Sequence, residues 1–151
     1  MEEQTQLERD ENYMRRALNE ALLALDKGEV PIGAVVVVGD RIIGRGHNLV
    51  ETLVDATAHA EMQAITAAAQ TLGGKYLNQC TLYVTVEPCA MCAGAIAWSQ
   101  VHRVVYGAED DKRGYTTFSE RIMHPKTEVV RGVLREECEA LMTQFFASLR
   151  K

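Results

Sequence analysis

His59-Ala60-Glu61 and, twenty-seven residues beyond Glu61, Pro88-Cys89-Ala90-Met91-Cys92 bring four reactive side chains into two short segments. Cys89 and Cys92 are three apart, so on a helix they share one face about a turn apart, and two thiolates there can grip one ion. A borderline-soft ion with two sulfur ligands and one imidazole is zinc by ligand preference. Three protein ligands, His59, Cys89 and Cys92, leave the fourth tetrahedral position to water, as in catalytic rather than structural zinc sites. Glu61 stands two residues from a ligand and is not needed for coordination. It is the candidate general base beside that water.

Blander readings compete. The C-x-x-C could be half of a structural zinc site completed by Cys80, Cys138, His47, His102 or His124. It could be a pair of small core thiols with a satisfied histidine, since free cysteine is often just core, or a redox pair, which would leave His59 and Glu61 without a role. A structural site has no use for a carboxylate two residues from a ligand. Pro88 does have a use ahead of a helix that begins at its metal ligand, where proline is tolerated. These points favour the catalytic reading.

For these groups to meet, helices must begin at them. Residues i and i+2 point well apart on an ideal helix, so His59 and Glu61 converge on one ion only if it lies off a helix N-terminus. The same holds at Cys89, where the positive end of the helix dipole also favours thiolate. The pattern supplies such helices. Glu8–Lys27 reads as an amphipathic helix with a stripe of Met14, Leu18, Ala21, Leu22 and Leu25, stopped by Gly28. Ala34–Val38 is a buried strand that turns at Gly39-Asp40 into a strand over Arg41–Arg45, and Gly46-His47-Asn48 opens a loop to Asp55. Thr57 is the expected N-cap of a helix from Ala58 to Thr71, closed by Gly73-Gly74. A strand over Thr81–Val86, an Ala-rich helix over Cys89–Ser99 and a strand over Arg103–Tyr106 follow. Ala108–Thr127 lacks sustained periodicity and is expected to be a long irregular loop with a short helical turn; long loops in compact domains are usually functional. A fifth strand over Glu128–Arg131 and an amphipathic helix carrying Leu134, Cys138, Leu141, Met142, Phe145 and Leu149 end the chain. The order implies one α/β domain over residues 1–151, a part-antiparallel, part-parallel sheet layered with helices.

Composition narrows the class. Of 151 residues, 47% are hydrophobic and 25% charged, the balance of a soluble globular domain. No apolar stretch approaches the ~20 residues that span a bilayer, and the acidic start Met1-Glu2-Glu3-Gln4 leads into no signal-type core. The expected location is cytoplasmic, where four cysteines point to metal ligands or core thiols rather than disulfides. The net charge of −5 argues against a large nucleic-acid footprint, yet the acidity is concentrated before residue 31, and residues 103–151 carry nine bases against eight acids.

The H-x-E…P-C-x-x-C pattern is that of the zinc-dependent nucleobase deaminases. The chain resembles the cytidine deaminase-like superfamily over almost its whole length, and within it the bacterial tRNA adenosine deaminases. The matching segments, in order, are Gly28-Glu-Val-Pro-Ile-Gly-Ala34, Gly46-His47-Asn48, Thr57-Ala-His-Ala-Glu61, Thr81-Leu-Tyr-Val-Thr-Val-Glu-Pro-Cys-Ala-Met-Cys-Ala-Gly94 and Val104-Val-Tyr-Gly-Ala-Glu-Asp110. The zinc motif alone specifies the superfamily. The segment around Asp110 and the terminal helix with Phe145-Phe146 favour the tRNA branch.

This resemblance implies a three-layer fold with a mixed five-stranded sheet, Zn2+ on His59, Cys89 and Cys92, and Glu61 as proton shuttle in hydrolytic conversion of adenosine to inosine at the wobble position. It implies Asn48 as a base contact and Asp110 as a contact near the nucleotide backbone, with Val30 and Pro31 lining the base pocket. Asn48 could instead stabilise an Asx-turn, Asp110 could be a solvated acid, and Val30 and Pro31 could simply start a strand. The implied partners are a tRNA anticodon loop and a second copy of the chain, with no membrane. Departures from the pattern are Glu109, a short 111–127 segment, and an end at Arg150-Lys151 without a basic tail. Ala95-Ile-Ala-Trp98 resembles the guanine deaminases, so a free nucleobase or nucleoside (guanine, cytosine or adenosine) is the alternative substrate. A non-enzymatic zinc-binding module is a more distant one.

Overall fold

Small residues decide how the layers meet. In the computed structural model, which describes residues 4–149, the strands β1 (Gly33–Val38), β2 (Arg41–His47), β3 (Thr81–Val86), β4 (Arg103–Ala108) and β5 (Glu128–Arg131) form one sheet in the order β2-β1-β3-β4-β5. β1 runs antiparallel to both β2 and β3, while β3, β4 and β5 are mutually parallel in that order. Helices α1 (Gln6–Asp26) and α5 (Arg135–Leu149) cover one face, and α3 (Ala60–Leu72) and α4 (Ala90–Trp98) the other. The expected layered mixed sheet of five strands is therefore present. Alternation along the strands separates two cores: Ala34, Val36, Leu82, Val84 and Val104 face α3 and α4, whereas Val35, Val37, Tyr83 and Val105 face α1 and α5.

The stripe on α1 is not the one expected from leucines. Met14, Ala17, Ala21 and Ala24 are fully buried, whereas Leu22 and Leu23 are exposed. The helix backbone lies directly on Gly33, where a Cβ would come within 2.1 Å of the Ala17 carbonyl oxygen, so alanines occupy the contact. On the other face α3 presents Ala60, Ala64 and Ala68 to Gly44 and Gly46 of β2, again at distances no Cβ tolerates. Two further expectations are corrected, and the helical turn expected in the 108–127 loop is present twice. The helix after Thr57 begins at Ala60 with His59 at its N-cap, because Thr57 gives its N–H and hydroxyl to Asp55 Oδ1, at 2.8 Å each. The loop after Asn48 contains a short helix α2 (Val50–Leu53), and the 108–127 segment holds two 3-10 turns, Tyr115–Thr117 and Glu120–Ile122, anchored by buried Tyr115 and Met123. The chain start at Met1–Glu3 and the end at Arg150-Lys151 lie outside the described residues. No described helix is long and apolar enough to cross a membrane.

One buried ion pair ties α1 to the sheet. Arg103 donates two 2.7 Å hydrogen bonds to the carboxylate of Asp10, which also accepts from the Tyr83 hydroxyl at 2.7 Å and from Gln6 at 3.0 Å. Asp10 is 2% exposed. Burial pushes its carboxyl up, but the bonds from Arg103, Tyr83 and Gln6 outweigh burial and hold it below the usual carboxylate range. Asp10→Asn should therefore cost about 3–5 kcal/mol in urea unfolding, as expected when one partner of a buried pair is removed. Because the folded value is depressed, the contribution is present above the unfolded value of about 3.9 and is lost as pH falls through the folded one. The difference between wild type and Asp10→Asn should shrink on acidification below about pH 4. A difference that is small at pH 7, or that does not shrink, would remove this pair from the stability of the fold.

Candidate active site

Both predicted ligand segments sit at helix starts. His59 is the N-cap of α3 and Cys89 that of α4, each with extended backbone and no side-chain cap bond, so the side chains are free to turn off the helix ends. Cys92 lies one turn into α4 and is fully buried. Asn48, at the end of β2, is also buried, and Asp110 follows the end of β4.

The ligand atoms of His59, Cys89 and Cys92 all lie within 4.8 Å of one another. His59 Nδ1 is 3.6 Å from Cys89 Sγ and 3.5 Å from Cys92 Sγ. Zinc bonds of about 2.0 Å to nitrogen and 2.3 Å to sulfur, at a tetrahedral angle, span an N···S edge of roughly 3.5 Å. The three donors thus fit one face of a tetrahedron around an ion of that size. Among the described residues no other set of three such ligands converges; Cys80 and Cys138 are buried elsewhere in the cores. The hydrogen bond from Cys92, aided by His59, pulls the Cys89 thiol down to about 4, and the bond to Cys89 raises the His59 imidazole. Cys92 is pushed up by its bond to Cys89 and by burial.

Glu61 lies in the first turn of α3, 4% exposed, and burial lifts its carboxyl to about 7. A carboxyl poised there exchanges protons readily at neutral pH. It opens onto a cleft of about 880 Å³ that also reaches His59, Cys89, Val30, Asn48 and Asp110. Pro31 is buried and is not part of the cleft wall. Asn48 Oδ1 accepts only a long 3.4 Å bond from the Val50 N–H, so most of its amide is available to a ligand. Asp110 Oδ1 accepts from the N–H groups of Lys112 and Arg113 at 3.0 Å each, which makes it a turn residue at the cleft edge rather than a free solvated acid.

Residues 8–150 match the MafB19-like deaminase family. A Bacillus subtilis (strain 168) protein named tRNA-specific adenosine deaminase is 50% identical over 147 residues, covering 94% of this chain and 91% of its own. This chain belongs to that deaminase family. A solved structure from work on A-to-I editing by tRNA:A34 deaminases at the wobble position of transfer RNA superimposes with a TM-score of 0.80 at 41% identity, covering 86% of this chain and 98% of that one. Its fold is the cytidine deaminase-like fold that the resemblance implied. A guanine deaminase structure from Bacillus subtilis matches with a TM-score of 0.63 and 44% identity over 66% of this chain and 64% of that one.

Sequence reasoning missed several groups on the walls of this deaminase's cleft. Glu29 and Glu87 are buried carboxylates, and Met91 and Phe118 join Arg113 on the cleft lining. Glu87 was detectable as an acid continuing a strand of buried residues, but its partners come from a segment more than twenty residues away. Glu109 forms a 2.8 Å ion pair with Arg135, so its charge is directed at α5 and partly neutralised. Phe145 and Phe146, noted from the sequence, both line the cleft and pack edge to face at 5.3 Å.

Proposed function

We propose that this deaminase converts adenosine to inosine at the wobble position of a tRNA anticodon loop, with zinc held by His59, Cys89 and Cys92 and with Glu61 carrying the protons. The observation that supports it most strongly is geometric: the buried Glu61 carboxyl meets three convergent metal ligands, and shares the lining of one open cleft with two of them, His59 and Cys89. Zinc, when bound, supplies Lewis-acid activation of water. Glu61 accepts the proton of the attacking water and delivers protons to the ring nitrogen and to the departing amine, so that adenosine and water become inosine and ammonia. Asn48 orients the base from the end of β2, with Val30 on the neighbouring wall. A loop nucleotide is already unpaired, so flipping it into the cleft costs less than extrusion from a duplex.

The reading includes a homodimer and a cytoplasmic location. Trp98, exposed at the end of α4, and Met91, seven residues earlier at the cleft rim, leave apolar surface along that helix suited to a second copy. The RNA footprint is small. Arg113 is exposed on the cleft lining and its neighbour Lys112 is exposed beside it, while Arg131 and Arg135 are engaged with Glu120 and Glu109.

Ammonia release from a tRNA-Arg anticodon stem-loop, adenosine, cytidine, cytosine and guanine tests the substrate, and the stem-loop is expected to be the efficient one. A free base turned over efficiently while the stem-loop stays inert would replace this reading with the small-base one. Binding of the stem-loop should weaken with salt at a slope of roughly −0.7 per phosphate neutralised. Charge reversal at Lys112 and Arg113 should raise its KM and leave any slow reaction on free adenosine unchanged.

A further inference from the structure

Glu87 is an acid buried to 5% exposure in the cleft wall, and the mechanism above does not use it. Its Oε1 accepts the backbone N–H of Asp110 at 3.2 Å; its Oε2 accepts the N–H and the hydroxyl of Thr116 at 3.1 and 2.7 Å. Between these two anchors the chain curls around the carboxylate so tightly that a Cβ on Gly114 would lie 2.2 Å from Oε2. The backbone of Gly114 is not in the left-handed region, so glycine is required there by close approach, to this carboxylate and to the Asp110 carbonyl oxygen at 2.6 Å. The same curl is stitched to the ligand segment by the Tyr115 N–H on the Pro88 carbonyl at 2.9 Å and by a bridge between Cys89 and Gly114. Asp110 in turn holds the N–H groups of Lys112 and Arg113.

We propose that Glu87 is a positioning residue: its carboxylate clasps residues 110–116 and sets the cleft wall that presents Asp110 and Arg113 to the substrate. With three donors already on its two oxygens, Glu87 is committed to the backbone, while proton transfer is left to Glu61. A second segment of the cleft lining is built the same way. Glu29, 1% exposed, takes the N–H groups of Glu51 and Thr52 at 3.1 and 2.6 Å and the Thr52 hydroxyl at 2.7 Å, which pins α2. Each segment thus rests on one buried glutamate that receives two backbone donors and one threonine hydroxyl. Fixing a binding wall in advance lowers the ordering cost of association.

The clasp is tested first without substrate, and this part is independent of the proposed reaction. In Glu87→Gln one oxygen becomes a donor facing donors, so amide hydrogen exchange at Asp110 and Thr116 should accelerate about tenfold or more, while Tyr83 and Val105 in the sheet stay protected. Thr116→Val, which removes only the hydroxyl, should accelerate the same amides less. Glu29→Gln should leave them unchanged. The second part rests on the tRNA reading: Glu87→Gln should raise KM for the stem-loop about tenfold with kcat within about threefold. The double variant Glu87→Gln/Thr116→Val should be no worse than Glu87→Gln alone, because both remove one clasp, and Thr116→Ser should restore wild-type behaviour. Unchanged exchange at Asp110 and Thr116 in both Glu87→Gln and Thr116→Val overturns the clasp. A fall in kcat with KM unchanged overturns the positioning role. If Glu87→Gln fails to fold, exchange and KM in Thr116→Val decide between the same outcomes. A stem-loop inert with the wild-type enzyme counts against the substrate reading and leaves the exchange result standing.

Discussion

Glu61→Ala is expected to abolish turnover while metal content and fold are retained. Its carboxyl is buried, lifted to about 7, and placed beside the three ligands without being one of them. A general acid–base group contributes about 100- to 10,000-fold. One that handles the proton of water, of the ring and of the leaving amine in turn should lie at or above the top of that range. Glu61→Gln keeps the shape and the burial but cannot carry a proton, so it should be as inactive as Glu61→Ala. The measurement is single-turnover ammonia or inosine formation, with metal analysis and circular dichroism on the same samples. Retention of more than a tenth of wild-type activity in either variant would take Glu61 out of the proton path.

Cys89→Ala should lose the zinc. The edge from His59 Nδ1 to each sulfur, 3.5 and 3.6 Å, leaves two ligands at most when one sulfur is removed. Loss of an outer-shell partner alone costs about 10- to 100-fold in metal affinity, so loss of a direct ligand should exceed that. His59→Ala should behave alike. Cys80→Ala, altered in a core position remote from the ligands, should keep its metal. Dialysis against a chelator of graded strength, followed by metal analysis, reads all three. One zinc per chain retained by Cys89→Ala, or a fourth protein ligand found in place of an open position, would refute the assignment of an open three-ligand site. Activity should track zinc occupancy across the series.

The contact chemistry of the centre was legible in sequence because it is local. His59 with Glu61, and Cys89 with Cys92, are each fixed within one helical turn, and the need to converge already required a helix start at each segment. Strand and helix periods likewise identified all five strands and the four long helices, since burial on one face imposes those periods regardless of partner. Where a tertiary contact sets the rule, local pattern failed. The buried stripe of α1 follows alanines rather than leucines because Gly33, on another element, admits the helix backbone. Thr57 was the better N-cap by type, yet its N–H and hydroxyl go to Asp55, and the helix starts two residues later. Asp10 with Arg103, and Glu87 with Thr116, are separated by 93 and 29 residues, and no periodicity links them. Sequence by itself determined which histidine and cysteine side chains would converge and the layers that carry them. Tertiary structure alone decided how the cleft walls are held, because a buried carboxylate takes its partners from whatever backbone folding brings within hydrogen-bond reach.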